Sequence, residues 1–202
     1  DAIGQLALYE LALDAPIREA AKRCLDRIFT MTALSTLNGI PSSTQGRSYA
    51  RDLKFPGLTE TAAITWTEWG RGALNPMAYA LSLLCLGSYA PPEEATRLAL
   101  WDRVSGIEAR YTQGCNHAAR LVAWKSRDAL LGSVTGYHPG EPGYQAVVAQ
   151  LHLEGHADAR VWINHPGEDD PFGTRRPSYW AGDGIMPWAA QWRNLALLHY
   201  RL

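Results

Sequence analysis

Ala118-Ala119-Arg120-Leu121-Val122-Ala123-Trp124-Lys125, followed after Ser126-Arg127-Asp128 by Ala129-Leu130-Leu131-Gly132-Ser133-Val134-Thr135-Gly136-Tyr137, is where the chain changes character. Short runs of β-branched and aromatic residues begin here, separated by Gly, Pro, Asn and Asp. Such runs predict strands. The same reading gives strands over 118–125, 129–137, 144–153, 158–164 and 194–201. Arg160-Val161-Trp162-Ile163-Asn164 alternates in part. Pro139-Gly140-Glu141-Pro142-Gly143 and Pro166-Gly167-Glu168-Asp169-Asp170 supply turns between the runs.

Before this point the apolar spacing is helical. Ile17, Ala20, Ala21, Cys24, Leu25 and Ile28 form one stripe, with Arg18, Lys22 and Arg23 between them. Asp14 and Pro16 suit the first turn of that helix. Residues 1–13 read as another helix, with Ile3, Leu6, Ala7 and Leu11 on one side. A third runs from Asn75-Pro76 to Gly87, apolar nearly all round and so expected to be buried. A fourth opens at Pro91-Pro92-Glu93-Glu94, its carboxylates at the positive end of the dipole, and carries Leu100, Val104 and Ile107. Residues 58–70 are a further helical stretch, and 38–57 read as a long loop. Helices first and strands second predict an α+β chain with segregated layers, residues 1–112 helical and 113–202 an antiparallel sandwich. Both halves have few elements for a closed architecture. Contact with further domains or another chain is therefore expected, with apolar surface exposed where it is missing.

Composition narrows the classes. Of 202 residues 47 % are hydrophobic and 19 % charged, so a packed globular chain is expected. The net charge of -1 gives no general attraction to nucleic acid or to an anionic membrane, and neither is expected as a partner. No apolar stretch is long enough to span a membrane. Eight Trp and nine Tyr against three Phe favour rings with a polar edge, which suit sugar stacking as well as cores and interfaces. Cys24, Cys85 and Cys115 match no zinc spacing. The first two fall on apolar helical faces and read as core residues.

One loop stands out chemically. In Gln45-Gly46-Arg47-Ser48-Tyr49-Ala50-Arg51-Asp52 two guanidiniums flank a phenol. Arginine grips carboxylate or sulfate at two points. A phenolate near arginines is stabilised, so Tyr49 can exchange a proton. The plainer reading is a solvated loop with Arg51 paired to Asp52. In Pro177-Ser178-Tyr179-Trp180-Ala181-Gly182-Asp183-Gly184, two glycines around Asp183 make a tight turn beside two rings. His165 stands at a strand end before Pro166. His152, His165, Asp183 and His199 have the chemistry of zinc ligands but no diagnostic spacing.

Taken together, these stretches resemble the heparinase II/III-like proteins and the chondroitin AC and hyaluronate lyases. The resemblance is carried by Ser133-Val134, Tyr137-His138-Pro139-Gly140, Gly143-Tyr144-Gln145 and Asn164-His165-Pro166, by Gly46-Arg47 with Arg51, and by Gly182-Asp183-Gly184. It implies an (α/α) toroid followed by an antiparallel β-sandwich, and β-elimination on a uronate-containing polysaccharide. Under it Arg47, Arg51, Trp180 and Asp183 bind the acidic substrate, while Tyr49 and His165 are catalytic. It implies no organic cofactor, leaves room for a structural divalent metal, and favours a secreted or periplasmic protein.

Two departures are visible. Val147 and Ala149 stand where the heparinase-like pattern has His and Trp. The family's catalytic residues on earlier toroid helices have no evident counterpart, so the chain reads as a piece lacking part of an active site. Two other classes compete. A toroid hydrolase needs paired carboxylates, and Glu60, Glu68 and Asp183 show no convincing arrangement for it. A non-catalytic carbohydrate-binding module needs exposed rings without converging titratable groups.

Overall fold

The computed structural model describes residues 2–44, 50–114, 119–141, 147–155, 159–164 and 185–201. It is α+β, with antiparallel sheets. The chain divides into two compact units. The first is Asp1–Pro41 with Pro56–Trp101; the second is Ser42–Phe55 with Asp102–Leu202. The division thus does not fall at one point: a stretch of the N-terminal half joins the strands.

In the first unit, α1 (Ala2–Leu11) packs against α2 (Ala15–Ser35), and α2 against α6 (Glu93–Ala99). Asp14 caps α2 by accepting from the Ile17 amide at 3.3 Å, with proline in the first turn. Thr59 caps α4 (Glu60–Trp69), which Gly70 ends with a left-handed φ of 63°. Thr36–Leu37 (β1) and Ile40–Pro41 (β2) form a minute hairpin, turning at Asn38-Gly39. Gly39 lies against the backbone of Arg71 and Gly72, where no side chain fits. The core gathers Leu6, Leu25, Phe29, Ala63, Ile64, Leu81 and Leu84, with Phe29 edge-on to Trp69.

Several helical expectations are corrected here. The element after Asn75 is a 3-10 turn (Pro76–Leu81) followed by α5 (Ser82–Leu86), and Leu86 is 83 % exposed rather than buried. Helix α6 stops at Ala99, and Ile107 starts a strand instead of closing that helix. Pairing with a neighbouring strand overrides the helical spacing of Leu100, Val104 and Ile107. Cys24 and Cys85 are exposed: the buried stripe of α2 runs through Ala21, Leu25 and Phe29, and the buried residue of α5 is Leu84. On α1 the buried residues are Ala2 and Leu6, while Leu11 is exposed.

The second unit is built on a five-stranded antiparallel meander: β3 (Ile107–Gln113), β4 (Ala119–Lys125), β5 (Ala129–Gly136), β6 (Val147–Leu153) and β7 (Arg160–Asn164), each paired with the next. The register sets Ile107, Lys125, Leu130, His152 and Arg160 in one cross-strand row, and Ala109, Ala123, Gly132, Gln150 and Trp162 in the next row on that face. The opposite face carries Arg110, Val122, Ser133, Ala149 and Ile163.

A hairpin of β8 (Trp188–Trp192) and β9 (Leu195–His199) covers that opposite face. Gln191 fastens it. Its side-chain oxygen accepts from Ser133 Oγ at 2.5 Å, and its Nε2 donates to the carbonyls of Leu131 and Arg193. Arg110 donates to the Gln191 carbonyl at 3.0 Å, and Glu108 accepts from the Arg193 amide. The outward side of the hairpin is left exposed, with Trp188, Trp192, Leu195 and Leu197 on it.

Candidate functional site

The face bearing the Lys125–Arg160 row is crossed by the strap that enters this unit from the N-terminal half. Gly132 makes room for it. A Cβ there would stand 2.9 Å from Ser43 Cα, so the Ser43 backbone lies directly on the sheet. Ser42 Oγ and His152 Nδ1 are 2.6 Å apart, both residues buried, with the tautomer deciding which atom donates. Ser43 Oγ is buried and has no hydrogen-bond partner among the described residues.

The same unit holds the short helix α3 (Ala50–Lys54). Leu53 packs on Val147, both buried. The Arg160 guanidinium reaches the end of this helix, donating to the Leu53 carbonyl at 2.9 Å and the Lys54 carbonyl at 3.3 Å. A cation at a helix C-terminus satisfies orphan carbonyls and opposes the negative end of the dipole.

His152 and Arg160 are direct partners across β6 and β7. The two feet of the strap therefore rest on neighbouring side chains of one row. The same face buries Lys125 and Gln150, at 2 % and 1 % exposure. Burying such groups is costly unless they are hydrogen-bonded or paired. A sheet face that gathers a lysine, a histidine, a glutamine and an arginine is built for polar work, whether structural or chemical.

Of the residues singled out from sequence, Arg47, Tyr49, His165, Trp180 and Asp183 lie outside the described residues. Arg51 lies within α3, where the course of the helix is described and the side chain is not. Cys115 also falls outside. Sequence reasoning missed Ser42, Lys125, Gln150 and Arg160, and weighed His152 only as a metal ligand. A signal was present: Gln150 and His152 occupy alternate positions inside an apolar strand, the parity of a single face. Among the described residues no group of three or more His, Cys, Asp or Glu is placed to hold a metal ion. No helix there is long and apolar enough to cross a membrane.

The first unit has its own polar cluster. Tyr89 donates to Asp26 at 3.2 Å, and Asp26 also pairs with Lys22 at 2.8 Å. Burial pushes the Tyr89 phenol far above its usual range, aided by the neighbouring Asp26 carboxylate. Burial also raises the Glu68 carboxyl. Glu10 accepts from the amides of Ser88 and Tyr89 at 2.6 and 3.0 Å, tying α1 to the segment after α5. Tyr89, Asp26 and Lys22 bond to one another, and Glu10 bonds to the Ser88 amide and hydroxyl and to the Tyr89 amide, which makes these contacts a structural network.

Comparison with protein-family models, curated proteins and solved structures finds no match to the chain.

Proposed function

We propose that this chain is a polysaccharide lyase-like protein, acting by β-elimination on a uronate-containing acidic polysaccharide. The (α/α) toroid and β-sandwich of that reading go with it. The supporting observation is the strap. The sequence stretch with Arg47, Tyr49 and Arg51 runs between Ser42, which bonds to His152, and Leu53, whose carbonyl accepts from Arg160, and those two side chains are neighbours on one sheet row.

Elimination needs three things: neutralisation of the uronate carboxylate, a base for the C5 proton and an acid for the leaving oxygen. In this reading Arg47 and Arg51 hold the carboxylate by charge-assisted hydrogen bonds, which acidifies the C5 proton. Tyr49 removes that proton and returns one to the leaving oxygen, with His165 as the second titratable group. Trp180 stacks on a sugar ring, and Asp183 is a further substrate-binding residue. The electron pair of the C5–H bond becomes the new C4–C5 double bond, conjugated to the carboxylate, while the C4–O pair departs with the leaving oxygen, which takes up a proton.

That conjugated product absorbs in the ultraviolet. The test is absorbance growth on a panel of uronate polymers: hyaluronan, chondroitin sulfate, heparan sulfate and alginate. Growth on at least one, lost in Tyr49→Phe, is the expected result. Reducing ends released without unsaturated product would instead mean hydrolysis.

A second reading, a non-catalytic carbohydrate-binding module, draws on the exposed Trp188 and Trp192, which stand on one side of β8. Indole faces stack readily on sugars. It predicts polysaccharide binding that Trp192→Ala weakens, with no unsaturated product from any polymer.

A further inference from the structure

We propose that the groove between α1 and α2 is a docking site for an amphipathic α-helix of a partner polypeptide, one whose apolar stripe is flanked by carboxylates. The proposal goes beyond the lyase reading and does not depend on it.

Both helices carry more apolar surface than the first unit covers. On α1 the core takes Ala2 and Leu6, yet Ile3, Leu8 and Leu11 are exposed, Leu11 at 70 %. A helix apolar on nearly all sides is suited to lie between neighbours. On α2 the core takes Ala21, Leu25 and Phe29, and the adjoining stripe of Ile17, Ala20 and Cys24 is left at the surface.

The two surplus stripes meet. Helices α1 and α2 pack against each other across a short connection. Between them lies an open groove of about 880 Å³, lined by Gly4 on α1 and by Ala20, Cys24 and Ile28 on α2, with Arg23 and Arg27 also in its wall. Leu8 and Leu11 follow Gly4 along α1 at helical spacing, and Ile17 precedes Ala20 and Cys24 along α2. The groove therefore continues as apolar surface toward the connection.

Shape and charge select the occupant. Positions 17, 20, 24 and 28 recur at three or four residues, the spacing that receives the ridges of another helix. A lipid surface needs no groove. Arg23 and Arg27 stand one turn apart on the same side of α2, and no carboxylate lines the groove among the described residues. The complement is a helix with Glu or Asp at i and i+4 beside its apolar stripe. A second copy of this chain fits less well, because a twofold axis through the groove would set Arg23 and Arg27 against their own counterparts.

The test uses the full chain and two synthetic peptides about three heptads long, with leucine at the a and d positions. One carries Glu at the flanking e and g positions, the other Lys. Calorimetry follows binding. Modification of cysteine thiols reports the place, since Cys24 lines the groove and Cys85, also exposed, does not. Circular dichroism checks that each variant is folded.

The Glu peptide should bind about tenfold or more tightly than the Lys peptide, as expected when attraction replaces like-charge repulsion at two positions. It should slow modification of Cys24 and leave Cys85 unchanged. Arg23→Glu combined with Arg27→Glu should reverse the preference. Gly4→Gln should abolish binding in a folded chain, because a Cβ at Gly4 meets nothing within 4 Å and the longer side chain then fills the groove. Failure of the Glu peptide to bind, equal affinity of the two peptides, equal protection of both thiols, or wild-type binding by Gly4→Gln each overturns the assignment. A concentration-dependent dimer in sedimentation velocity that Gly4→Gln abolishes would also overturn it, making the occupant a second copy. So would protection of Cys24 by vesicles of anionic lipid, which would make the occupant a membrane surface.

Discussion

Gly132 on β5 lies directly beneath Ser43, at a separation that leaves no room for a Cβ. The strap can lie flat on the sheet only because position 132 carries no side chain. Gly132→Ala should lift the strap and unseat Ser42 from His152. The expected cost is about 1–3 kcal/mol, the range for overpacking a filled interior. Chemical denaturation measures it. A midpoint equal to wild type would show that the strap shifts freely. Gly114, with nothing within 4 Å of a Cβ but a φ of 80°, is the comparison for backbone strain without a clash.

Gln191 makes three side-chain hydrogen bonds between the hairpin and β5 or the hairpin turn. Gln191→Ala leaves Ser133 Oγ buried without this partner. A loss of about 1–3 kcal/mol follows from the cost of an unsatisfied buried polar group. Trp188 and Trp192 flank the site in sequence, so tryptophan fluorescence reports the loosening. Identical stability in Gln191→Ala would mean that apolar contacts alone seat the hairpin.

Glu68 gives a prediction with a definite sign in pH. Burial raises its carboxyl in the folded chain above the ordinary value of 4.5. The unfolded chain therefore loses its proton first as pH rises. The resulting destabilisation is absent below the unfolded value and complete above the folded one, so stability falls as pH climbs through that window. Glu68→Gln removes the effect. Its Tm should exceed wild type at pH 7 and match it at pH values below 4.5. A variant less stable than wild type at pH 7 would contradict this.

Glu108 behaves in the opposite sense. The Arg193 amide, and then the Arg110 guanidinium, hold its carboxyl below the ordinary range. Stability from this group is fully present above the unfolded value and is lost as pH falls through the folded one. Glu108→Gln should flatten the acid limb of the stability curve. If wild type and variant lose stability in parallel below pH 4.5, the group contributes nothing to holding the β8–β9 turn.

Arg47 and Arg18 provide the functional contrast. Arg18 is exposed on α2. Arg47→Ala should lower turnover or binding of an acidic polymer by about tenfold or more, as expected for removing a fixed positive partner of the substrate. Arg18→Ala should change neither activity nor stability beyond a few tenths of a kcal/mol. Equal behaviour of the two variants on the polymer would remove Arg47 from the site.

The amino-acid sequence alone determined which stretches are helix and which are strand where a local signal is strong. Asp14 and Pro16 open α2, Thr59 and Gly70 bound α4, and the runs at 119–125, 129–136, 147–153, 160–164 and 195–199 pair as strands, because caps, glycines and β-branched runs act over a few residues. It also picked out the arginine–tyrosine segment by residue type. Only tertiary structure decided the rest. Ile107–Gln113 became a strand because β4 offered it a partner, and Trp188–Trp192 because β9 did. Residues 42–55 joined the second unit because Gly132 leaves a place for Ser43 and Val147 one for Leu53. The pairing of His152 with Arg160 under the two feet of the strap depends on a register between strands, and register is a relation between distant residues that no local window of sequence contains.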